Sequence, residues 1–226
     1  MVDYHSHILA GIDDGAKTVE ESLQMLSVLT RFGFSDVVLT PHYYSNRQPV
    51  EEFTEKRGRA LLRLLEAAEG KGLPTLHVGA EVYFTELLFN NEDLKPLTVG
   101  GRGVFMLTEL PYDNRLSLSC EKSLQRLIYD RGITPVLAHI ERYPFLMEEK
   151  TLIPLLKMGC RAQVNYRAFT LPHRNRKLEN LIKKGHVSIF GTDAHSAPGL
   201  EDWLKEALAN MDRIFGAGFA EGVRKS

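Results

Sequence analysis

Short apolar runs alternate along the chain with longer stretches in which apolar residues return every three or four positions. The short runs lie at residues 1–5, 36–42, 75–81, 104–110, 134–139, 161–165 and 187–193. They are mostly rich in β-branched residues and mostly bounded by Gly or Pro, which predicts buried strands, about seven in all. The amphipathic stretches lie at residues 18–33, 53–70, 119–131, 149–159, 176–185 and 199–215, and predict helices. In the first, Thr18 and Glu21 suit a capping box, Leu23, Leu26 and Leu29 make an apolar stripe, and Gly33 supplies a stop. In the second, Leu61, Leu64, Leu65 and Ala68 are expected on one face. Strand–helix alternation from end to end implies a parallel sheet. About seven such units imply an α/β fold closed, or nearly closed, into a TIM-like barrel. No linker, repeat or low-complexity segment interrupts the pattern, so residues 1–226 are expected to form a single domain.

Composition narrows the reading modestly. The chain has 226 residues, 25% charged and 43% hydrophobic, with a formal net charge of −1. That balance gives no electrostatic reason to expect binding to nucleic acid or to a membrane surface. The N-terminus lacks the basic and apolar regions of a signal peptide, and no apolar run approaches the ~20 residues that span a bilayer. A cytoplasmic protein without membrane insertion is expected. Cys120 and Cys160 form no CxxC pair, so neither a disulfide framework nor a thiolate zinc site is indicated.

Polar residues change the picture more. Five of the eight histidines end a predicted strand or follow one closely: His5, His7, His42, His139 and His195. Glu81, Glu109 and Asp193 fall at the same level, and Asp14 lies in the loop after the first strand. In a parallel barrel these positions meet on the rim at the C-terminal ends of the strands, where active sites sit. Nine N and O donors without a thiolate suit several hard or borderline divalent ions. The His-x-His spacing turns both imidazoles of an extended segment to one side. His77, His173 and His186 fall away from this rim and are read as structural.

The motifs "DYHSH", "TPHYY", "GAEVYF", "LTELP", "LAHIERYP" and "GTDAHS" resemble, in order, those of the PHP superfamily (polymerase and histidinol phosphatase). Within it, "HILAGIDDGAKTVEESLQML" is similar to the bacterial manganese-dependent tyrosine phosphatases of capsular and exopolysaccharide biosynthesis. The resemblance implies a distorted (β/α)7 barrel and three divalent metal ions, manganese first, with magnesium, iron, zinc or cobalt as alternatives. It implies that His5, His7, Glu81 and Asp193 hold one ion. Glu81 would bridge to a second held with Glu109 and His139. Asp14, His42 and His195 would hold the third, leaving Asp13 a turn residue or a support for its neighbours. It also implies a phosphotyrosine protein substrate, a bacterial tyrosine autokinase. Two departures stand out. Ile140 replaces a proline usual in the family, and the arginine often found after the last Asp-x-His is missing from "HSAPGLEDW". A second phosphate-binding arginine must then come from elsewhere, with Arg47, Arg167, Arg174 and Arg176 as alternatives.

The expected chemistry is in-line attack on phosphorus by hydroxide generated at the cations. Arg142 is the candidate clamp on the phosphate, because a guanidinium fork matches two of its oxygens; the competing reading is an ion pair with Glu141. Arg142 and Glu81 are thus the expected catalytic groups. Tyr43 and Tyr44 are candidates to line the mouth and stack on a substrate ring. A phenolate of pKa ≈ 10 leaves with less acid assistance than an aliphatic alcohol, which favours phosphotyrosine over phosphoserine. "CEKSLQR" matches the Cys-x5-Arg pattern of cysteine phosphatases through Cys120 and Arg126. It has no glycine, carries Glu121 where a phosphate would lie, and reads as helix, so Cys120 is expected to be a packing residue. "VGGRG" is expected to be a turn before a strand. The alternatives are a small-molecule phosphatase of the histidinol-phosphate type, a nuclease of the same superfamily, and a non-catalytic regulatory domain. The oligomeric state is left open.

Overall fold

A computed structural model describes residues 1–171 and 175–220. The predicted run at 36–42 is bent at Pro41 into β2 (Asp36–Leu39) and β3 (His42–Tyr43), and the next is bent at Gly79–Ala80 into β4 (Thr75–Val78) and β5 (Glu81–Tyr83). The other strands are β1 (Val2–Ser6), β6 (Phe105–Glu109), β7 (Thr134–Leu137), β8 (Arg161–Asn165) and β9 (Ile189–Gly191). All pairings are parallel. They give a segment ordered β1-β2-β4 and another ordered β3-β5-β6-β7-β8-β9.

The two segments form one curled wall. Gly79 N–H donates to Leu39 O (2.9 Å) and Glu81 N–H to Pro41 O (3.1 Å), carrying the ladder across both bends. At the other seam, Asp193 N–H donates to His5 O (2.7 Å) and His7 N–H to Ala194 O (3.0 Å). The result is the distorted (β/α)7 barrel. The buried Asp3 carboxylate locks that seam, accepting from Thr192 N–H (2.8 Å), Thr192 Oγ1 (2.6 Å) and His5 N–H (3.2 Å).

Helices α1 (Val19–Arg31), α2 (Val50–Ala68), α3 (Leu118–Tyr129), α4 (Glu149–Met158), α5 (Arg176–Lys183) and α6 (Leu200–Phe215) cover the wall. Thr18 caps α1 by accepting from Glu21 N–H (3.2 Å), while Glu21 reaches back to Lys17 N–H (2.9 Å). The buried face of α2 differs from expectation: it is Val50, Phe53, Arg57, Ala60 and Leu64, and Leu65 is exposed. The reason is Arg57, a charged residue drawn inward to donate to Gly79 O (2.6 Å) and Pro96 O (2.9 Å), where it fixes the β4–β5 bend. Between β5 and β6 the chain makes three short 3₁₀ turns in place of a helix, one of them at Val99–Gly101 as expected. Among the described residues, no helix is long and apolar enough to cross a membrane.

The Thr192 hydroxyl is the only one donated to Asp3 among the described residues. Thr192→Val is therefore expected to lower unfolding free energy by about 1–3 kcal/mol, since it strands a buried carboxylate oxygen. Urea denaturation with an unchanged m-value checks this, and a loss under about 0.5 kcal/mol would contradict the seam's role.

Candidate metal centre and catalytic mouth

His5 near the end of β1 and His7 just past it flank Ser6 in extended chain, so both rings face the barrel mouth. His5 Nε2 and His7 Nε2 lie 3.1 Å apart. Each is 3.2 Å from Glu81 Oε2 and 3.3 Å from Asp193 Oδ1. Side chains at the end of β1 and just after it, at the start of β5 and just after β9 thus place four donor atoms within 4.8 Å of one another, the two imidazole nitrogens nearly equidistant from each carboxylate oxygen. An ion with bonds of about 2.1 Å has donor-to-donor edges of about 3.0–3.4 Å, so the cage fits a metal ion.

Two further groups share members with the first. His42, Glu81 and Glu109 form one, and His7, Asp14, His42 and His195 form the other, with donor atoms within 4.8 Å of one another in each. His42 stands between them, its Nδ1 3.0 Å from Glu81 Oε2 and its Nε2 3.5 Å from Asp14 Oδ1. His139 Nε2 is 2.8 Å from Glu81 Oε1 and 3.7 Å from Glu109 Oε1. His195 Nε2 is 3.4 Å from Asp14 Oδ1, and its ring stacks on His7 with centroids 4.0 Å apart. All nine expected donors therefore meet at one mouth. His7 and His42 touch more than one group, which the ordered assignment from the motifs did not anticipate.

Carboxylates and imidazoles shift one another strongly at this mouth. Glu81 is 1% exposed, and its Oε2 has no hydrogen-bond partner although three imidazole nitrogens lie within 3.2 Å. Burial would raise its pKa, but His5 and the other imidazoles hold it well below the usual carboxylate range. Burial likewise works against protonated His5, yet Glu81 and Asp193 push it up to about 9. Burial and the neighbouring Glu81 charge raise Glu109 to about 6. A cation would take over the role these protons play, and binding it would release them.

Supporting side chains set the ring orientations. Asp13, in the loop between β1 and α1, accepts from His7 Nδ1 (2.7 Å) and from His42 N–H (2.9 Å). Gln163 Oε1 faces His5 Nδ1 (3.2 Å) and accepts from His139 N–H (2.8 Å); its amide donates to Asn165 Oδ1 (2.9 Å), whose own amide donates to Asp193 Oδ2 (2.8 Å). His139 (φ 33°) and Asp193 (φ 52°) have left-handed backbone, alone among described non-glycine residues, and such strain concentrates at functional sites. Gly15 and Gly191 are required here: a Cβ would lie 2.0 Å from His7 O at one and 2.4 Å from His5 Cβ at the other. Gln163 and Asn165 were missed in the sequence, although their i, i+2 spacing near the end of a buried strand repeats the His-x-His signal.

Arg142 follows β7 in the short turn Ile140–Arg142. Its Nη2 donates to Asp193 Oδ2 and its Nη1 to the Tyr112 hydroxyl (3.4 Å). It does not form the surface pair with Glu141, which turns inward to accept from Asn165 N–H (3.3 Å); burial raises the Glu141 carboxyl to about 7. Tyr43 requires correction. It is fully buried, packs edge-on against Phe53 and donates to Gln48 O (3.2 Å), because the short β3 turns it to the core side while His42 and Tyr44 face the mouth. Tyr44 lies beside His42 and Tyr83, with the Arg47 guanidinium 4.1 Å above its ring. Arg167 lines a cleft of about 950 Å³ together with Arg142, Asp193, His195 and Trp203. Arg176 lies in a separate depression, and Arg174 and His173 fall outside the described residues.

The Cys-x5-Arg segment forms no phosphate loop. Cys120 sits in the first turn of α3, where burial and then Glu121 push its thiol up to about 11, and Arg126 packs over Phe89. His77 pairs with Asp36 (2.8 Å).

The class is thus a (β/α)7 barrel whose mouth gathers imidazoles and carboxylates positioned for metal binding. A family model described as "Capsular polysaccharide synthesis, CpsB/CapC" matches residues 1–224, and the chain belongs to that family. It is 28% identical over 225 residues to the tyrosine-protein phosphatase CpsB of Streptococcus agalactiae, covering 96% of this chain and 91% of that one. A crystal structure from the study of Bacillus subtilis YwqE and Streptococcus pneumoniae CpsB, metal-dependent tyrosine phosphatases, superposes with a TM-score of 0.78 at 22% identity, over 100% of this chain and 92% of the other. The histidinol phosphate phosphatase of Lactococcus lactis superposes with a TM-score of 0.52 at 14% identity, over 95% and 94%. These two structural likenesses establish the fold.

A thiol of pKa about 11 has little thiolate at neutral pH. Cys120 is therefore expected to react with iodoacetamide at pH 7 at least roughly tenfold more slowly than a free cysteine of pKa about 8.5. Peptide mapping of the alkylated protein measures this, and alkylation as fast as the free amino acid would contradict the buried-thiol reading.

Proposed function

We propose that the chain is a metal-dependent protein-tyrosine phosphatase acting through a cluster of divalent cations, three in number with manganese foremost. The observation that carries this is the cage of His5 Nε2, His7 Nε2, Glu81 Oε2 and Asp193 Oδ1, in which each imidazole nitrogen lies 3.1–3.3 Å from the other three donors, flanked by two groups that share its members. Family membership supports it: relatives over nearly the whole length are named tyrosine-protein phosphatases.

His5, His7, Glu81 and Asp193 would hold one ion. Glu81, Glu109 and His139 would hold a second, and Asp14, His42 and His195 a third, with His7 and His42 close enough to adjust between neighbours. When bound, such ions supply positive charge to the phosphate and a hydroxide nucleophile near neutral pH. The protein's part is orientation. Asp13 and Gln163 hold the histidine rings so that each Nε2 points inward. Arg142, engaged with Asp193 and Tyr112 but half-exposed, would turn to phosphate oxygens and stabilise the charge that gathers there during transfer. The leaving phenolate needs no strong acid beside it. The wide cleft beside Asp193 has room for polypeptide flanking the phosphorylated residue. That room favours a protein substrate over a small closed-pocket substrate such as histidinol phosphate, and the near-neutral chain offers no groove for a nucleic acid. The proposed partner is a bacterial tyrosine autokinase in capsule or exopolysaccharide synthesis, and the proposed location is the cytoplasm. The support for both is the family.

Hydrolysis of a phosphotyrosyl peptide is expected to fall to background after EDTA dialysis and to return with Mn²⁺. Glu81→Gln is expected to abolish it, and Cys120→Ser to leave it within a few fold. Chelator-resistant turnover, or inactivation by Cys120→Ser with the fold intact, would overturn the proposal. Gln163→Leu is expected to weaken manganese binding by roughly 10–100-fold in calorimetric titration; unchanged affinity would remove Gln163 from the account.

A further inference from the structure

We propose that Tyr112 is the aromatic wall that lets this site prefer aryl over alkyl phosphate esters. This rests on the phosphatase reading above and adds the side chain that reads the leaving group. Tyr112 follows β6 three residues after Glu109, and it is 58% exposed. Exposure on this scale normally leaves a tyrosine free to swing. Here the ring is held by two near-parallel neighbours that also stack on each other. It stacks nearly parallel on Tyr143 (centroids 5.2 Å, 16°) and lies parallel to His139 (6.4 Å, 9°). Tyr143 is itself buried and anchored by donating to Leu110 O (2.6 Å), so the platform is rigid.

The hydroxyl end fixes the direction. It accepts from Arg142 Nη1 (3.4 Å) and lies close enough to help hold the Glu109 carboxylate. Tyr112 therefore stands where the ester of a phosphate clamped by Arg142 would project. The ring of an aryl phosphate begins one ester oxygen from phosphorus, within reach of this wall. An alkyl phosphate offers no ring to stack. Tyr44, the aromatic residue expected for this role, already has a guanidinium over its ring, whereas Tyr112 keeps much of its surface open. Offset ring pairs are worth enough to shift binding by roughly twofold to tenfold.

The test is binding of phenylphosphonate against methylphosphonate to the manganese-loaded protein by calorimetry, for the wild type and for Tyr112→Phe, Tyr112→Ala and Tyr112→Leu. The wild type is expected to prefer the phenyl ligand. Tyr112→Phe should keep that preference, and the two ringless variants should lose roughly fivefold of it. Two ringless variants are used so that one misfolded protein does not stop the experiment, and the ratio cancels any general loss of phosphonate affinity. A preference absent in the wild type, retained in both ringless variants, or lost equally in Tyr112→Phe would overturn the proposal. Turnover of phosphotyrosyl peptide by the wild type is measured separately. Its absence would sink the phosphatase reading while leaving a Tyr112-dependent aryl preference standing.

Discussion

The Glu81 carboxylate is the constraint around which the mouth is built. A carboxylate with 1% exposure and an oxygen lacking any hydrogen bond is costly to bury alone. Three imidazole nitrogens surround that oxygen and a fourth imidazole meets its partner oxygen. Glu81 and its neighbouring carboxylates in turn push His5 and His7 above the usual imidazole range, against the effect of their burial. The arrangement is consistent throughout with cations lying among these donors. The rings are oriented from behind by Asp13 and Gln163, and the donor atoms, not the ring edges, point at the shared centre.

Placing donors from residue 5 to residue 195 around one point is the task of the barrel seam. Asp3 ties β1 to Thr192, and Asp193 N–H donates to His5 O, so donors from the two ends of the chain are registered by the same backbone contacts that close the wall. Left-handed backbone at His139 and Asp193 turns their side chains inward at the ends of their strands, and Gln163 and His5 hold that strain in place. β8 supplies no proposed ligand. It supplies the amide chain from Gln163 to Asn165 that links His5, His139 and Asp193.

The sequence pattern was informative where one residue's chemistry and the strand period agreed. His-x-His in an extended lead, single histidines at strand ends and acidic residues at the same level led directly to the nine donors. The alternation of runs led to the barrel. Legibility failed where tertiary contacts override local pattern. Tyr43 and Tyr44 are adjacent and equally aromatic, and only the two-residue strand β3 decides which faces the core. Arg57 is charged, yet two carbonyl oxygens created by the β4–β5 bend draw it into the buried face of α2 and shift that face off the leucine stripe. The sharing of His7 and His42 between donor groups depends on ring positions that spacing does not encode. Tyr112 carries no motif of its own; only its stack on Tyr143 marks it.

The central claim is that these imidazoles and carboxylates form one polynuclear metal centre. Anomalous diffraction at the manganese edge, from crystals of the full chain grown with Mn²⁺, tests it most directly. The account predicts anomalous peaks at bonding distance, about 2.0–2.3 Å, from His5, His7, Glu81 and Asp193, with further peaks beside Glu109 and His139 and beside Asp14 and His195. A mouth with no anomalous density, or manganese bound only at other carboxylates on the surface, would contradict it.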